Sequence, residues 1–323
     1  MAKFIGRQQE VGIAREATRG TIVTPTFWVP KVNYTTEDKA QKATFQGNYG
    51  SIASPGDDSL VSQKWSEGDL EPEAQDKIIG LLLYAMFGSL SSATFASVKK
   101  HTLTVQESVQ PTTLSLFLKD PIGTIAYAMA MVNSVEFSWE LGELVKARVN
   151  FIAKAHKDFT AQTPTYTAQN KFAHNHLIFK IAADAASLDA ASKINLQSLT
   201  LRIERSVIRE NALGTVQPID ILSRSFKISG TIKLTHEDRT YRNYMLDGNK
   251  KAIRIDTVNS AVTIGSTNPA FRFDIGVAHF DSWEPAHPLE DISTQEISFE
   301  ALYDVANSKI INDAYVVNET TSY

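Results

Sequence analysis

Two histidines separated by a single residue are the first candidates for chemistry in this sequence. His174 and His176 lie in the segment AHNHLIF. In a strand they would share one face and could offer two ligands to a metal ion. No third ligand is evident nearby, and a metal nuclease needs its ligands spread over a hairpin and a helix. We therefore interpret the pair as polar residues at the start of a strand, and a metal nuclease stays as an alternative.

A second group of titratable residues, His236, Glu237 and Asp238, has the types needed for acid–base chemistry. Its position before an apolar helical pattern gives a simpler explanation, because acidic residues favour the positive N-terminal end of a helix. The sequence contains no nucleophile elbow, phosphate loop, dinucleotide fingerprint or HExxH zinc motif. We predict that the protein is not an enzyme and binds neither a metal ion nor a cofactor.

Composition narrows the classes of protein further. The 323 residues include no cysteine, which excludes disulfides and thiolate chemistry, and 43% are hydrophobic, enough for a large core. The 32 basic residues are scattered and are outnumbered by 36 acidic ones, so no surface for gripping phosphates is indicated. The start MAKFIGRQQE does not have the pattern of a signal peptide, and the apolar run 78–87 is about half of a membrane span.

Five aromatic residues could stack on bases, namely Phe27, Trp28, Trp65, Trp139 and Trp283. Stacking on single-stranded nucleic acid is accompanied by basic residues in the same groove, and these aromatics have none interleaved with them. We interpret them as core residues or interface anchors. The absence of recognisable catalytic or ligand-binding motifs favours a structural protein.

Most of the sequence alternates between apolar and polar residues, which is the pattern of strands with one buried face. The alternation runs through 135–141 and resumes at 145–151 after a glycine, which predicts a hairpin. Because a strand cannot bury both of its faces, Glu136 and Glu140 are expected to face solvent and Phe137 and Trp139 the core. Further strands are predicted at 61–65, 99–105, 112–120, 199–203, 226–234, 250–256, 271–277 and 297–303.

Two short helices are expected among the strands. In DLEPEAQDKIIGLLLYAMFG, Pro72 suits a first helical turn and Gly88 a C-terminal stop. In LTHEDRTYRNYMLDG, Thr235 with Asp238 is a weak form of the capping box, and Gly248 follows the last apolar residue. Each half of the chain therefore holds one helix.

The two halves carry their elements in the same order. A strand and a helix are followed by a strand that two lysines open, KKHTLTV or KKAIRID; TTLSLFLKD then corresponds to FRFDIGV, and VEFSWEL to ISFEALY. Between the halves, residues 157–171 are rich in Thr, Gln and Ala and lack periodicity. We predict a first domain over 1–156, a linker over 157–171 and a second domain over 172–323.

The N-terminal segment GIAREATRGTIVTPTFWVPK has glycines, but not at the spacing of a phosphate loop. It resembles the N-terminus of tail tube proteins of long-tailed, siphovirus-type bacteriophages, where a glycine, an Arg-Glu type pair, a Gly-Thr and an aromatic residue before proline recur. The segment GDLEPEAQDKIIGLLLYAMFGS and the predicted hairpin extend the resemblance over most of the first half, and the second half matches by order of elements only. The matching N-terminal residues are Gly12, Arg15, Glu16, Gly20, Thr21, Trp28 and Pro30.

The resemblance implies a mainly β fold with short helices, here two tandem β-sandwich domains of the tail-tube type, each flanked by one α-helix. It implies a structural virion protein that polymerises as stacked rings into the tube through which DNA is ejected. Its partners would be further copies of the chain, the tape measure protein, and tail terminator or baseplate proteins. DNA would pass without specific binding, since a net negative lining repels phosphates. The protein would reside in the virion tail after assembly in the host cytoplasm.

Three sets of residues are expected to serve this assembly. The loop 46–59 is long and rich in turn residues, and its second-half counterpart is 209–220. Contacts between stacked rings are predicted for Gln46, Tyr49, Ile52, Pro55 and Asp57. The lumen is predicted to be lined by Glu136 and Glu140. Contacts with a neighbouring subunit are predicted for Arg15, Glu16 and Trp28.

The number of copies in a ring follows from the repeat. A single-domain member of the family closes its ring with six copies, so two domains in one chain predict a trimeric ring of pseudo-sixfold symmetry, with a hexamer as the alternative. Two other classes of protein stay open. One is another tail component of the same β class, such as a neck, terminator or baseplate protein; the other is a carbohydrate-binding β-sandwich adhesin.

Overall fold

The computed structural model describes residues 3–30, 32–44, 50, 52–53 and 59–323. The described residues form seventeen strands and two α-helices. In chain order these are β1 (Glu10–Arg15), β2 (Phe27–Val29), β3 (Val32–Thr44), β4 (Ser59–Pro72), α1 (Asp76–Phe87), β5 (Gly88–Phe95), β6 (Val98–Val105), β7 (Leu114–Lys119), β8 (Thr124–Glu140), β9 (Lys146–Lys154), β10 (Lys157–Phe159), β11 (Leu177–Ala182), β12 (Ser198–Glu210), β13 (Asp220–Thr235), α2 (Thr240–Leu246), β14 (Lys251–Val258), β15 (Ala270–Ala286), β16 (Thr294–Ala301) and β17 (Asp313–Asn318).

The prediction of a mainly β fold with short helices is confirmed. Strands β8 and β9 form the predicted antiparallel hairpin, with Val135 opposite Val149. The alternation also placed the faces of β8 correctly, because Phe137 and Trp139 are buried. Apolar residues at every second position thus set which side of each strand lies against the core.

Eight antiparallel strands form a continuous sheet in the order β3-β4-β9-β8-β12-β13-β16-β15, which we term the central sheet. One face of the central sheet carries buried apolar side chains such as Leu201 and Ile232 and packs on the main core. The other face, which we term the polar face, carries the charged and hydroxyl side chains that alternate with them. The pairing of β12 with β8 joins the strands of the two halves of the chain.

Strands β8 and β15 are each 17 residues long and take part in two sets of pairings. Residues 124–130 of β8 pair with β7, which pairs in turn with β1, and residues 124–126 also pair with β10. The first residues of β15 likewise pair with β14 and β17, before the strand enters the central sheet beside β16. The layer that covers the core face of the central sheet is therefore built partly from the same two strands.

One pattern of pairings occurs twice in the central sheet. Strands β3-β4-β9-β8 and β12-β13-β16-β15 are joined in the same order, and Gly68 lies opposite Phe151 as Gly230 lies opposite Phe299. The register of β8 against β9 shifts between residues 132 and 134, and that of β15 against β16 shifts between residues 280 and 282. The bulges thus fall at matching places in the two groups of four strands.

The correspondence predicted between the strands of the two halves is wrong by one strand. It matched the segment in β8 with the one in β16, and the segment in β6 with the one in β14, whereas the pairings match β8 with β15 and β9 with β16. The hairpin of β5 and β6 has no counterpart in the second half among the described residues. A pair of lysines lies at the start of both β6 and β14, at 99–100 and 250–251, and this local likeness favoured the wrong alignment.

Helix α1 begins later than predicted. Pro72 is the last residue of β4, and the helix starts at Asp76, so the proline is not in its first turn. The N-terminal N–H groups are satisfied by a distant segment, because the N–H of Ile78 donates to Oε1 of Gln169 and that of Asp76 to the carbonyl oxygen of Asn170. The predicted C-terminal stop is confirmed, since the residue after Phe87 has a φ of 86°.

Arg205 of β12 satisfies the other end of α1. Its guanidinium donates to the carbonyl oxygens of Met86 and Phe87, the second at 3.0 Å. Burial lowers the pKa of Arg205 to about 10, so the side chain stays charged at neutral pH. A cation at the C-terminal end of a helix is stabilised by the helix dipole. Helix α1 is buried almost all round and is therefore held by contacts from both halves of the chain.

The start of α2 was also predicted incorrectly. Thr235 ends β13 and lies outside the helix, so it forms no capping box with Asp238. The carboxylate of Asp238 instead accepts the N–H of Thr240 at 2.8 Å. Gly248 follows the helix with a φ of 65°, as predicted for a C-terminal stop.

Candidate assembly surface

The histidine pair does not form a site with a third ligand among the described residues. His174 and His176 lie in a 3₁₀ turn that precedes β11, and not on a strand. Nδ1 of His176 accepts the N–H of Ala173 at 3.1 Å. Burial and the neighbouring His174 lower the pKa of His176. The expectation that the pair opens a strand is wrong by one element, because the two histidines form the turn that precedes β11.

Another group of possible metal ligands, which the sequence did not indicate, lies on β15 and β16. His279, Asp281 and Glu300 have ligand atoms within 4.8 Å of one another. Nε2 of His279 is 2.5 Å from a carboxylate oxygen of Asp281, and Lys227 lies 2.8 Å from a carboxylate oxygen of Glu300. Because both carboxylates already have partners, we interpret the group as a polar cluster beside the bulge of β15.

The other side chains with possible chemistry have packing partners. The ring of His236 lies 5.7 Å from that of Trp283. Trp28 and Trp139 are buried, and the guanidinium of Arg209 lies 3.5 Å from the ring centroid of Trp65. These contacts fit the interpretation of the aromatics as core residues and anchors.

Glu16 is the most strongly hydrogen-bonded carboxylate of the N-terminal segment. It is 3% exposed, and its oxygens accept the hydroxyls of Thr113 at 2.5 Å and Ser115 at 3.0 Å. They also accept the backbone N–H of Gly20 at 2.6 Å and of Met129 at 2.8 Å. A buried carboxylate is stable only when such donors replace its hydration. Glu16 therefore ties the N-terminal segment to β7 and β8.

The bond to Met129 lies at the point where β8 passes from one set of pairings to the other. Met129 has a φ of 55°, which is unusual for a residue with a side chain, and the register against β7 shifts beside it. Gly20 also has a positive φ, of 77°, and a Cβ there would lie 2.7 Å from Cε of Met129. A register shift of this kind bends the strand that carries it, and we term this place the bend of β8. Through Glu16 the N-terminal segment is tied to the bend, a role that the spacing of its glycines did not reveal.

The three residues predicted to contact a neighbouring subunit differ in exposure. Glu16 and Trp28 are buried within the described chain, at 3% and 5% exposure. Arg15 is exposed, and its guanidinium donates to the hydroxyl of Tyr84 at 2.9 Å. A contact with another subunit stays a prediction for this segment, and Arg15 is the member whose side chain is exposed.

The two carboxylates predicted to line a lumen lie on the polar face. Glu140 is exposed and Glu136 is half-buried, 3.8 Å from Nη1 of Arg202. Nearby, Nη2 of Arg148 lies 2.9 Å from a carboxylate oxygen of Asp69. Burial raises the pKa of Asp69, but the hydrogen bonds from Arg148 and Asn150 and the charge of Arg148 together outweigh burial, so the pKa is lowered. The polar face therefore carries ionised residues of both signs, many of them paired.

The central sheet ends in two open edges. Among the described residues, β3 pairs only with β4, and residues 282–286 of β15 pair only with β16. The β3 strand is 13 residues long. A long strand with an unpaired edge presents free N–H and C=O groups to any other chain. These two open edges are the surfaces of the molecule best suited to pairing with another copy.

The loop predicted to contact the next ring lies mostly outside the described residues. Of its five named residues, Gln46, Tyr49, Pro55 and Asp57 are not described, and Ile52 is fully exposed. The loop joins β3 to β4 at the far end of their hairpin. Its predicted role is neither supported nor contradicted by the described part of the chain.

No helix among the described residues is long and apolar enough to cross a membrane. The model of one protein family, described as phage tail tube protein, matches residues 6–301. No curated protein matches the chain. The family match covers both groups of four strands and the N-terminal segment that carries Glu16.

Proposed function

Because the chain belongs to the phage tail tube protein family, we propose that it polymerises as stacked rings into the tube through which DNA is ejected into the host. The family is a structural one, and membership implies self-assembly into a tube within the virion tail. The observation that carries the ring proposal is the pair of open edges at the two ends of the central sheet. A surface that joins a different surface on the next copy gives a closed ring or an open helix.

We interpret residues 1–156 and 172–323 as two copies of one unit, joined by 157–171. The recurring order of four strands and the matching bulges support this interpretation. The segment 157–171 begins with β10 and ends beside the start of α1, so it packs on the first unit while it leads to the second. Each unit would contribute one sixth of a ring.

A trimeric ring follows from this interpretation. Three copies with eight central strands each would give a barrel of 24 strands. Strands about 4.8 Å apart and tilted by about 40° close such a barrel at a backbone diameter of about 50 Å. Six copies would double that diameter, so the trimer is the tighter enclosure for one double helix. The hexamer stays as the alternative.

The polar face is the side of the central sheet that we place toward the lumen. The opposite face is covered by α1 and by the layer that contains β7 and β14, and we place this layer on the outside of the ring. Glu136 and Glu140 would then line the tube. A lining with paired charges and a net acidic character gives DNA no phosphate-binding groove, so the duplex slides.

Reversing the charge of the lining is expected to make the tube bind DNA. In the variant with Glu136→Lys and Glu140→Lys, assembled protein should retain a short DNA duplex at low salt and release it as salt rises, because phosphate contacts displace counterions. Co-sedimentation of labelled duplex with tubes measures this. The matched control, Glu107→Lys with Asp247→Lys, changes exposed residues of a loop and of the end of α2. Equal retention by both variants would place Glu136 and Glu140 away from the lumen.

The remaining parts of the proposal concern the ends of the tube and its stacking. The loop 46–59 would contact the next ring, and the tape measure protein and terminator or baseplate proteins would bind inside the tube and at its ends. Assembly would occur in the host cytoplasm. A neck, terminator or baseplate protein of the same β class is the alternative function, and it would stop at one ring.

Electron microscopy of the purified chain tests the proposed function. We expect rings that stack into tubes of indefinite length as the protein concentration rises, with three chains in each ring. Single rings that never stack would favour the terminator-type alternative. A chain that stays monomeric and instead binds glycans saturably would favour the adhesin.

A further inference from the structure

The proposed ring does not specify which residues of two copies are in contact. A pairing of strands within one chain has the geometry that this contact would need. Resting on the proposed function, we propose that the open edge of β3 in one copy pairs antiparallel with residues 282–286 of β15 in the next. In this register Thr35 lies opposite Ala286 and Lys39 lies opposite Ser282. The partner is thus a second copy of the chain, joined edge to edge.

The contact between β12 and β8, which we term the internal junction, supplies the geometry. It joins the first strand of the second group of four to the last strand of the first group. Its register places Thr200 opposite Ser138 and Glu204 opposite Ser134. The two open edges belong to the first strand of the first group and the last strand of the second group. They are therefore the same two kinds of edge that the internal junction pairs.

Two structural landmarks, one on each strand, determine which residues of the open edges correspond to residues of the internal junction. On the β12 side, a Cβ at Gly230 would lie 2.8 Å from the carbonyl oxygen of Thr200, and a Cβ at Gly68 would lie 2.4 Å from that of Thr35. Thr35 is therefore the counterpart of Thr200. On the β8 side, the residue after the bulge is Ser134 in one group and Ser282 in the other. Counting along each strand from these landmarks gives the proposed pairs.

The side chains at the open edges are compatible with a subunit that folds before it joins another copy. On the core side of the internal junction, Leu201 and Phe137 are buried and apolar. Their counterparts at the open edges are Thr36, which is half-buried, and Pro285, which is exposed, so no large aliphatic or aromatic side chain is left uncovered there in an unassembled subunit. Polar edge residues and prolines are the devices by which sheet edges avoid premature pairing. The junction between copies is therefore weaker than the internal one.

The polar face shows the same difference. In the internal junction Arg202 lies opposite Glu136, and the two side chains are 3.8 Å apart. The counterparts at the junction between copies are Glu37 and Glu284, two carboxylates. Like charges directly opposite each other weaken strand pairing. The two edges would therefore match in backbone register but pair weakly. Weak pairing would keep free subunits from joining one another before they reach the growing tube.

Disulfide trapping tests the register directly, because the chain has no cysteine of its own. Two matched variants each carry two cysteines, Thr35→Cys with Ala286→Cys and Lys39→Cys with Ser282→Cys. Two mismatched variants use the same positions in the other combination, Thr35→Cys with Ser282→Cys and Lys39→Cys with Ala286→Cys. The mismatch separates the thiols by four residues, about 13 Å along the strands. Mild oxidation of assembled protein is followed by non-reducing electrophoresis.

We expect both matched variants to give covalent dimers and trimers, and both mismatched variants to stay monomeric on the gel. The internal pair Thr200→Cys with Ser138→Cys is the positive control, and it should close within one chain. Each single-cysteine variant should give no dimer, because the proposed contact joins two different edges. A covalent ladder that continues to six chains would support the junction and replace the trimer by a hexamer.

Two results would overturn the proposal, and they can be told apart. If micrographs show rings but mismatched pairs trap as well as matched ones, the register is wrong and the proposed function stands. If micrographs show neither rings nor tubes and no pair traps, the proposed function fails together with the junction. Reduced variants are imaged first, so that a change in folding is not taken for a change in register.

Discussion

The substitution Glu16→Ala is expected to lower the free energy of unfolding by at least about 3 kcal/mol, since it leaves several buried donors without an acceptor. The donors include the backbone N–H groups of Gly20 and Met129, which no change of rotamer can satisfy elsewhere. A loss of this size is a large part of the roughly 5–15 kcal/mol that stabilises a typical domain. Urea unfolding followed by tryptophan fluorescence measures the effect.

Two further variants separate the hydrogen bonds of Glu16 from its charge and size. Glu16→Gln keeps the volume but can accept through only one side-chain atom, so it should fall between the wild type and Glu16→Ala. Glu140→Ala removes an exposed carboxylate and should leave the unfolding midpoint unchanged. Equal stability of Glu16→Ala and Glu140→Ala would show that the N-terminal segment does not hold the bend of β8.

The substitution Gly68→Ala is expected to destabilise the subunit by about 2–3 kcal/mol through overpacking. A Cβ at this position would lie 2.4 Å from the carbonyl oxygen of Thr35 and 2.8 Å from the ring of Phe151. The carbonyl belongs to the backbone of β3, so strands β3 and β4 must separate to admit the methyl group. Because β3 carries an open edge, ring formation should weaken together with stability. Thermal unfolding and sedimentation velocity measure the two effects.

Gly123→Ala is the matched control for this prediction. A Cβ at Gly123 would have no atom within 4 Å, and its backbone φ is not in the left-handed region. The methyl group should therefore leave stability unchanged or raise it slightly, through the lower entropy of the unfolded chain. Gly230→Ala, the counterpart in the second group of strands, should lose stability like Gly68→Ala. A Gly68→Ala protein as stable as Gly123→Ala would contradict the close packing of β3 on β4.

The features that the sequence determined are those that depend on neighbours along the chain. Alternation set the buried face of β8, with Phe137 and Trp139 inside and Glu140 outside. Gly88 and Gly248 ended their helices, because few other residues adopt a positive φ without strain. The lack of catalytic motifs and the pattern of the N-terminal segment pointed to the structural family whose model matches residues 6–301.

The features that the sequence did not determine depend on residues far apart in the chain. Helix α1 starts where Asn170 and Gln169 meet its first N–H groups, and not at Pro72. It ends beneath Arg205, more than a hundred residues away. Neither set of partners can be recognised from local propensity, because the sequence around a polar residue does not show whether a helix end will pack against it.

The correspondence between the two halves also depended partly on the sequence and partly on the tertiary structure. Alternation reports which face of a strand is buried, but any strand of that pattern fits beside any other, so the order of strands was read one element out of step. The tertiary structure decided the order through features that have no sequence signature: the bulges at 133 and 281, and the close approach of Gly68 and Gly230 to a neighbouring strand. The role of Glu16 was also decided by the tertiary structure. Its position in the sequence matches a family pattern, but its contacts with Ser115 and Met129 form only when folding brings β7 and β8 against the N-terminal segment.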